Sequence, residues 1–186
     1  EWDLMKRIME LDLPDDHLLF NARNYFVASY MMYGMNFTDM ALLKKSNIRD
    51  GRINYRRSKT SKLYDIKITP ALHEILNHYM TKTPDAEYIF PIVKSEDTGA
   101  QYREIKWARK RYNKKLKLIA IECRIEKNLT TYVSRHTFAT MAMLLGSSEC
   151  GAVVGCGERA RKMWPVCGYF YRADKHDTSK AEWDWN

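Results

Sequence analysis

The chain has 186 residues, 45% of them hydrophobic and 29% charged, proportions of a folded globular domain that exclude disordered, collagen-like and disulfide-scaffold classes. Its Lys and Arg residues outnumber Asp and Glu by 31 to 23, a net charge of +8, which points to a polyanionic partner, because net charge governs association rather than fold. No apolar run approaches the roughly 20 residues of a membrane span, so a cytoplasmic protein without membrane contact is expected.

In chain order, the spacing of Leu18, Leu19, Ala22, Phe26 and Tyr30 predicts a helix over 14–33, stopped by Gly34. A shorter helix follows from Asn36, whose side chain suits the amide of Asp39, and runs through Met40, Leu42 and Leu43. Residues 51–55 and 63–69 alternate apolar and polar side chains, predicting two strands joined by a hairpin over Arg56 to Lys62. Thr69 and Pro70 read as the cap and first position of a helix carrying Leu72, Ile75, Leu76 and Tyr79 inward. Pro84 and Pro91 bracket a loop.

Residues 101–120 set an apolar stripe of Ile105, Ala108, Tyr112, Leu116 and Ile119 against a basic face that includes Arg103, Lys106, Arg109 and Lys110. Such one-sided charge favours phosphate contact. A last helix is expected over 129–145, with Val133, Phe138 and Met141 apolar and Gly146 as its stop. Beyond it Cys and Trp become frequent and the periodicity fades, so 1–149 is expected as one domain and 150–186 as an atypical tail. Cys123, Cys150, Cys156 and Cys167 lack C-x-x-C spacing; reduced thiols are expected, with no metal and no cofactor. The chain begins without Met, and a further domain upstream is expected.

The segment 130–140, T-T-Y-V-S-R-H-T-F-A-T, presents Arg135 and His136 at a helix start, where a guanidinium and amide dipoles together suit a phosphate. With the preceding Leu129 it resembles the second-arginine box of the tyrosine recombinase (phage integrase) family. G-M-N-F-T-D-M-A-L-L at 34–43 is similar to that family's first-arginine region, and R-I-N-Y-R-R-S-K-T at 52–60 to its lysine-bearing hairpin. Y-I-F-P at 88–91 is a fourth similarity in the same order.

The resemblance implies a mainly α domain with a small antiparallel β-sheet, here missing an upstream DNA-clamping domain. It implies metal-free strand cleavage and rejoining of duplex DNA through a 3′-phosphotyrosine, with self-association on DNA. Arg135 matches the second arginine, a donor to the charged transition state, and Lys59 the general acid. Arg56, Arg57, Lys62, Lys106, Arg109 and Lys110 would contact backbone phosphates.

The chain departs from the family at three places. Asn36 stands where the first arginine belongs, as in a divergent subgroup, leaving Arg57 or Arg23 to replace it. Tyr132 stands where a histidine precedes Arg135 by three, and there supplies a hydrogen bond without titrating near neutrality; His136 would orient. At the end, Glu158 and Cys167 occupy the places of the family's L-G-H and nucleophile elements. Tyr169 and Tyr171 are the nearest tyrosines. Either the tail is a divergent ending, or it is out of frame after about residue 146 and the chain is a DNA-binding remnant impaired in catalysis; the second account is favoured.

Overall fold

A computed structural model describes residues 2–144. Helix α1 (Trp2–Met9) leads to α2 (Phe20–Met31) and the single-turn α3 (Phe37–Ala41). A 3-10 turn enters a three-stranded antiparallel sheet of β1 (Ile48–Arg49), β2 (Arg52–Arg56) and β3 (Leu63–Lys67), in that spatial order. Helices α4 (Pro70–Lys82), α5 (Thr98–Glu122) and α6 (Val133–Leu144) complete the mainly α architecture.

Helix α2 is the centre of the core. Ten of its twelve residues are buried, and α1, α4, α5 and α6 all pack on it, which is the environment of a helix apolar on every side. Its start is Phe20 rather than Pro14: residues 14–19 form turns, with the amides of His17 and Phe20 bonded to Pro14 and His17 carbonyls. Leu18 is consequently 61% exposed and not an inward position. Tyr25 anchors an aromatic cluster with Phe37, Tyr79, Phe90 and Tyr112.

Local capping chemistry sets the starts of α3, α4 and α5. The Asn36 side chain accepts from the Asp39 amide at 2.9 Å, Thr69 from Leu72 at 3.0 Å, and Asp97 from Ala100 at 2.6 Å. The last cap starts α5 three residues before the sequence pattern does. In the sheet, Ile53 pairs with Ile66 and Tyr55 with Tyr64, so one face of the hairpin carries Ile53, Tyr55 and Ile66 into the core. Two features were not expected from the sequence. One is α1, whose Leu4, Met5 and Ile8 are buried; the other is β1, joined to β2 by Asp50 and Gly51, both with positive φ, a two-residue hairpin turn suited to an Asp-Gly pair.

The Y-I-F-P segment is an anchor. Ile89 donates its amide to the Leu43 carbonyl at 2.9 Å, and Ile89 and Phe90 are fully buried. Leu129, also fully buried, precedes α6 instead of starting it, because residues 130–132 turn first. The Gly146 stop and the 150–186 tail, with Tyr169 and Tyr171, lie outside the described residues.

Candidate active site

Three elements meet around one cleft of about 630 Å³: the start of α3, the β2–β3 turn and the start of α6, with α5 along one side. Arg57, Lys59, Arg109, Tyr132 and Arg135 all line it, together with Asn36, Asp39, Ser58 and Thr131. Five of the expected residues, distributed over nearly eighty positions of sequence, thus share one space. His136, Arg56, Lys62, Lys106 and Lys110 do not line it.

Arg135 owes its position to the end of α2. Tyr33 and Gly34 follow the helix with φ of +58° and +69°, and the Gly34 amide reaches back to the Ser29 carbonyl at 2.9 Å, the closing bond of a Schellman turn. This places the Gly34 carbonyl to accept from Arg135 Nη1 at 3.2 Å. A Cβ at Gly34 would lie 3.0 Å from both Cα and Cγ of Arg135. The glycine is therefore required twice, by its dihedral angle and by the close approach of α6.

Lys59 is exposed on a turn closed by two backbone bonds, Arg57 N–H to Lys62 O at 2.9 Å and Ser61 N–H to Arg57 O at 2.8 Å. Asp39 holds this turn to α3. Its carboxylate accepts from the Ser58 amide at 3.1 Å, from the Ser58 hydroxyl, and from Asn36 Nδ2 at 2.5 Å. Asp39 is 5% exposed and is the one carboxylate against four cations in the cleft lining. The sequence pattern names it as the residue capped by Asn36 but contains no sign of its link to Ser58, nineteen positions on.

Among the described residues, none of Arg57, Lys59, Arg109 and Arg135 forms an ion pair. The lining of the cleft thus carries an excess of positive charge, four cations to the one carboxylate of Asp39. Among the described residues Arg57 Nε, like Arg23 Nε, is buried without a hydrogen-bond partner, a cost that a bound anion would relieve. Burial pushes the hydroxyl of Tyr55 well above the ordinary tyrosine range, while Arg57 and Arg135 pull it down and Asp39 adds to the rise. Tyr55 is thus within electrostatic reach of both guanidiniums. Arg23 lies elsewhere, lining a cleft of about 360 Å³ between α1, α2 and α4 with Phe20, Asn24 and Glu74.

Tyr132 is 58% exposed and stands edge-on to His136, ring centroids 4.3 Å apart. The amides of Thr131 and Tyr132 are already engaged, by Asn113 Oδ1 at 3.0 Å and Thr130 Oγ1 at 3.3 Å. Side chains of the cleft, rather than these two amides, are available to an anion. Outside the cleft, Arg56 donates to the Ser61 carbonyl at 2.5 Å, and Lys110 sits over the exposed Trp107 ring at 5.5 Å. Lys62 and Lys106 project from the surface.

The fold is similar to that of a tyrosine recombinase. The crystal structure of XerA recombinase matches with a TM-score of 0.55 and 22% sequence identity, covering 94% of this chain and 64% of that one. No family model matches the sequence, and comparison with curated proteins gives no match. Among the described residues no helix is long and apolar enough to cross a membrane, and no group of three or more His, Cys, Asp or Glu is placed to hold a metal ion.

Proposed function

We propose that this chain is the catalytic part of a site-specific recombinase, which binds duplex DNA and in its intact form cleaves and rejoins strands through a 3′-phosphotyrosine. The carrying observation is the cleft itself, four cationic side chains around one engaged carboxylate in a recombinase-like fold. The reaction exchanges one phosphoryl bond for another: a tyrosine hydroxyl gives up its proton and its oxygen attacks the phosphorus, the bond to the 5′ oxygen breaks, and that oxygen takes up a proton as it leaves. Arg135 donates to the non-bridging oxygens, and Lys59 protonates the leaving oxygen. Arg57 takes the place of the guanidinium absent at Asn36; its position in the same cleft as Arg135 supports it over Arg23, which lines a different one.

Tyr132 adds a hydrogen-bond donor, and His136 orients its ring. Arg109, with Lys106, Lys110, Arg56 and Lys62 around the cleft, contacts flanking phosphates. Tyr169 or Tyr171 would supply the attacking oxygen, and copies of the chain associate on DNA. Two measurements test the reading. Affinity for a labelled duplex should fall steeply with salt, because phosphate contacts release counterions; an affinity indifferent to salt overturns it. Incubation with a nicked duplex then separates a working recombinase from a remnant: the chain as written should give little or no covalent adduct, whereas an adduct lost in Tyr169→Phe or Tyr171→Phe identifies the nucleophile.

A further inference from the structure

Arg135 is preceded by Ser134, which is fully buried. Its hydroxyl lies 2.8 Å from that of Ser29, a residue of α2 more than a hundred positions earlier. The Ser29 hydroxyl has one proton, and it goes to the Met35 carbonyl at 2.8 Å. The shared bond is therefore donated by Ser134 and accepted by Ser29. Thr131 O, at 3.5 Å, is the longer alternative for the Ser134 proton. Ser29 also acts through its backbone, its carbonyl accepting from the amides of Gly34 at 2.9 Å and Met35 at 3.2 Å.

One residue thus grips both sides of the Arg135 seat. Through Ser134 it sets the rotation of α6 where Arg135 leaves it, and through Gly34 and Met35 it sets the carbonyl to which Arg135 is bonded. Neither serine lines the cleft. A buried hydroxyl pair of this kind has a directional bond, so a change in helix rotation breaks it, whereas an apolar contact tolerates sliding.

We propose that Ser29 and Ser134 are positioning residues for Arg135, acting on its guanidinium through the α2–α6 hydroxyl bond. The inference rests on the proposed DNA-binding role of the cleft. Ser134→Ala is the mildest perturbation, because Ser29 keeps its bond to Met35 and loses only a donor. In the full chain, Ser134→Ala should weaken binding to a labelled duplex by about 3- to 10-fold, the scale of one misaligned charge-assisted hydrogen bond. In an Arg135→Ala background the same substitution should change affinity less than about twofold, since the group it acts through is gone.

Ser134→Cys, which retains a weak donor of similar size, should recover part of the loss. Thermal unfolding of each variant shows whether it is folded at the binding temperature, and should Ser134→Ala not fold, the Ser134→Cys pair of backgrounds decides the same question. Equal losses with and without Arg135, or no loss in either, overturn the positioning role. If duplex affinity ignores salt and Arg135→Ala leaves it unchanged, the DNA reading falls first and the inference with it.

Discussion

Replacing Gly34 by Ala tests the seat of Arg135 from the opposite side. The perturbation has three parts: a side chain at φ +69°, a Cβ 3.0 Å from Arg135 Cα, and a stiffer unfolded chain. The first costs about 1–2 kcal/mol, and overpacking against a backbone atom that only a shift of α6 relieves costs about 1–3 kcal/mol. The third returns about 0.4–1 kcal/mol. The net expectation is a loss of about 1–4.6 kcal/mol, and a loss of 2 kcal/mol lowers the melting temperature of a chain this size by roughly 4–8 °C. Urea unfolding followed by circular dichroism at the helical band measures it, with the slope unchanged if the effect lies in the native state. Gly99→Ala is the internal control: its φ is not positive, and its Cβ meets only the Asp97 and Arg103 side-chain ends, at 3.2 and 3.8 Å, so it carries neither the dihedral strain nor the backbone clash, and its helical position returns up to about 1 kcal/mol. If Gly34→Ala is as mild as Gly99→Ala, the packing of Gly34 on Arg135 is not what holds the site.

Asp39→Ala releases the Ser58 amide and hydroxyl and should cost about 1–3 kcal/mol; hydrogen exchange should quicken at residues 58–61, and unchanged exchange there would show that the turn is held by other means. On the proposed recombinase reading, Lys59→Ala should reduce strand cleavage by about 100- to 10,000-fold, and a 5′-phosphorothiolate at the cut should restore it, since sulfur leaves without a proton; a variant not rescued in this way removes Lys59 as the acid. Glu104 accepts from the Lys94 amide at 2.9 Å, the Ser95 hydroxyl at 2.8 Å and the Ser95 amide at 3.3 Å, and these bonds, that of Lys94 foremost, hold its carboxyl below the usual range. Its contribution is therefore present above the unfolded-state pKa and lost as pH falls through the folded one, so Glu104→Gln should flatten the acid limb of a stability–pH curve and leave its neutral region with the same slope.

Capping and alternation were legible in the sequence because they are local. Thr69 with Pro70, Asn36 with Asp39, and the Ile53, Tyr55 and Ile66 alternation each depend on residues within one turn or one strand pair, and the structure repeats them. The Asp50-Gly51 turn was equally local and went unread because β1 is only two residues long. The start of α2 is hidden for another reason: Leu18 and Leu19 continue the helical spacing backward into residues that the structure folds as turns. The motif residues Arg135 and Lys59 were legible by resemblance, and with them the expectation of a mainly α domain with a small sheet.

Periodicities, helix caps and the excess of positive charge are written along the chain, because each depends on near neighbours or on composition alone. Packing is what brings distant residues together: Arg57 rather than Arg23 in the cleft of Arg135, Asp39 against the Lys59 turn, Ser29 against Ser134, and Gly34 against the Arg135 backbone. Each of these is a contact between separate elements. Its energy depends on how helices pack around α2, and no spacing along the chain encodes that distance.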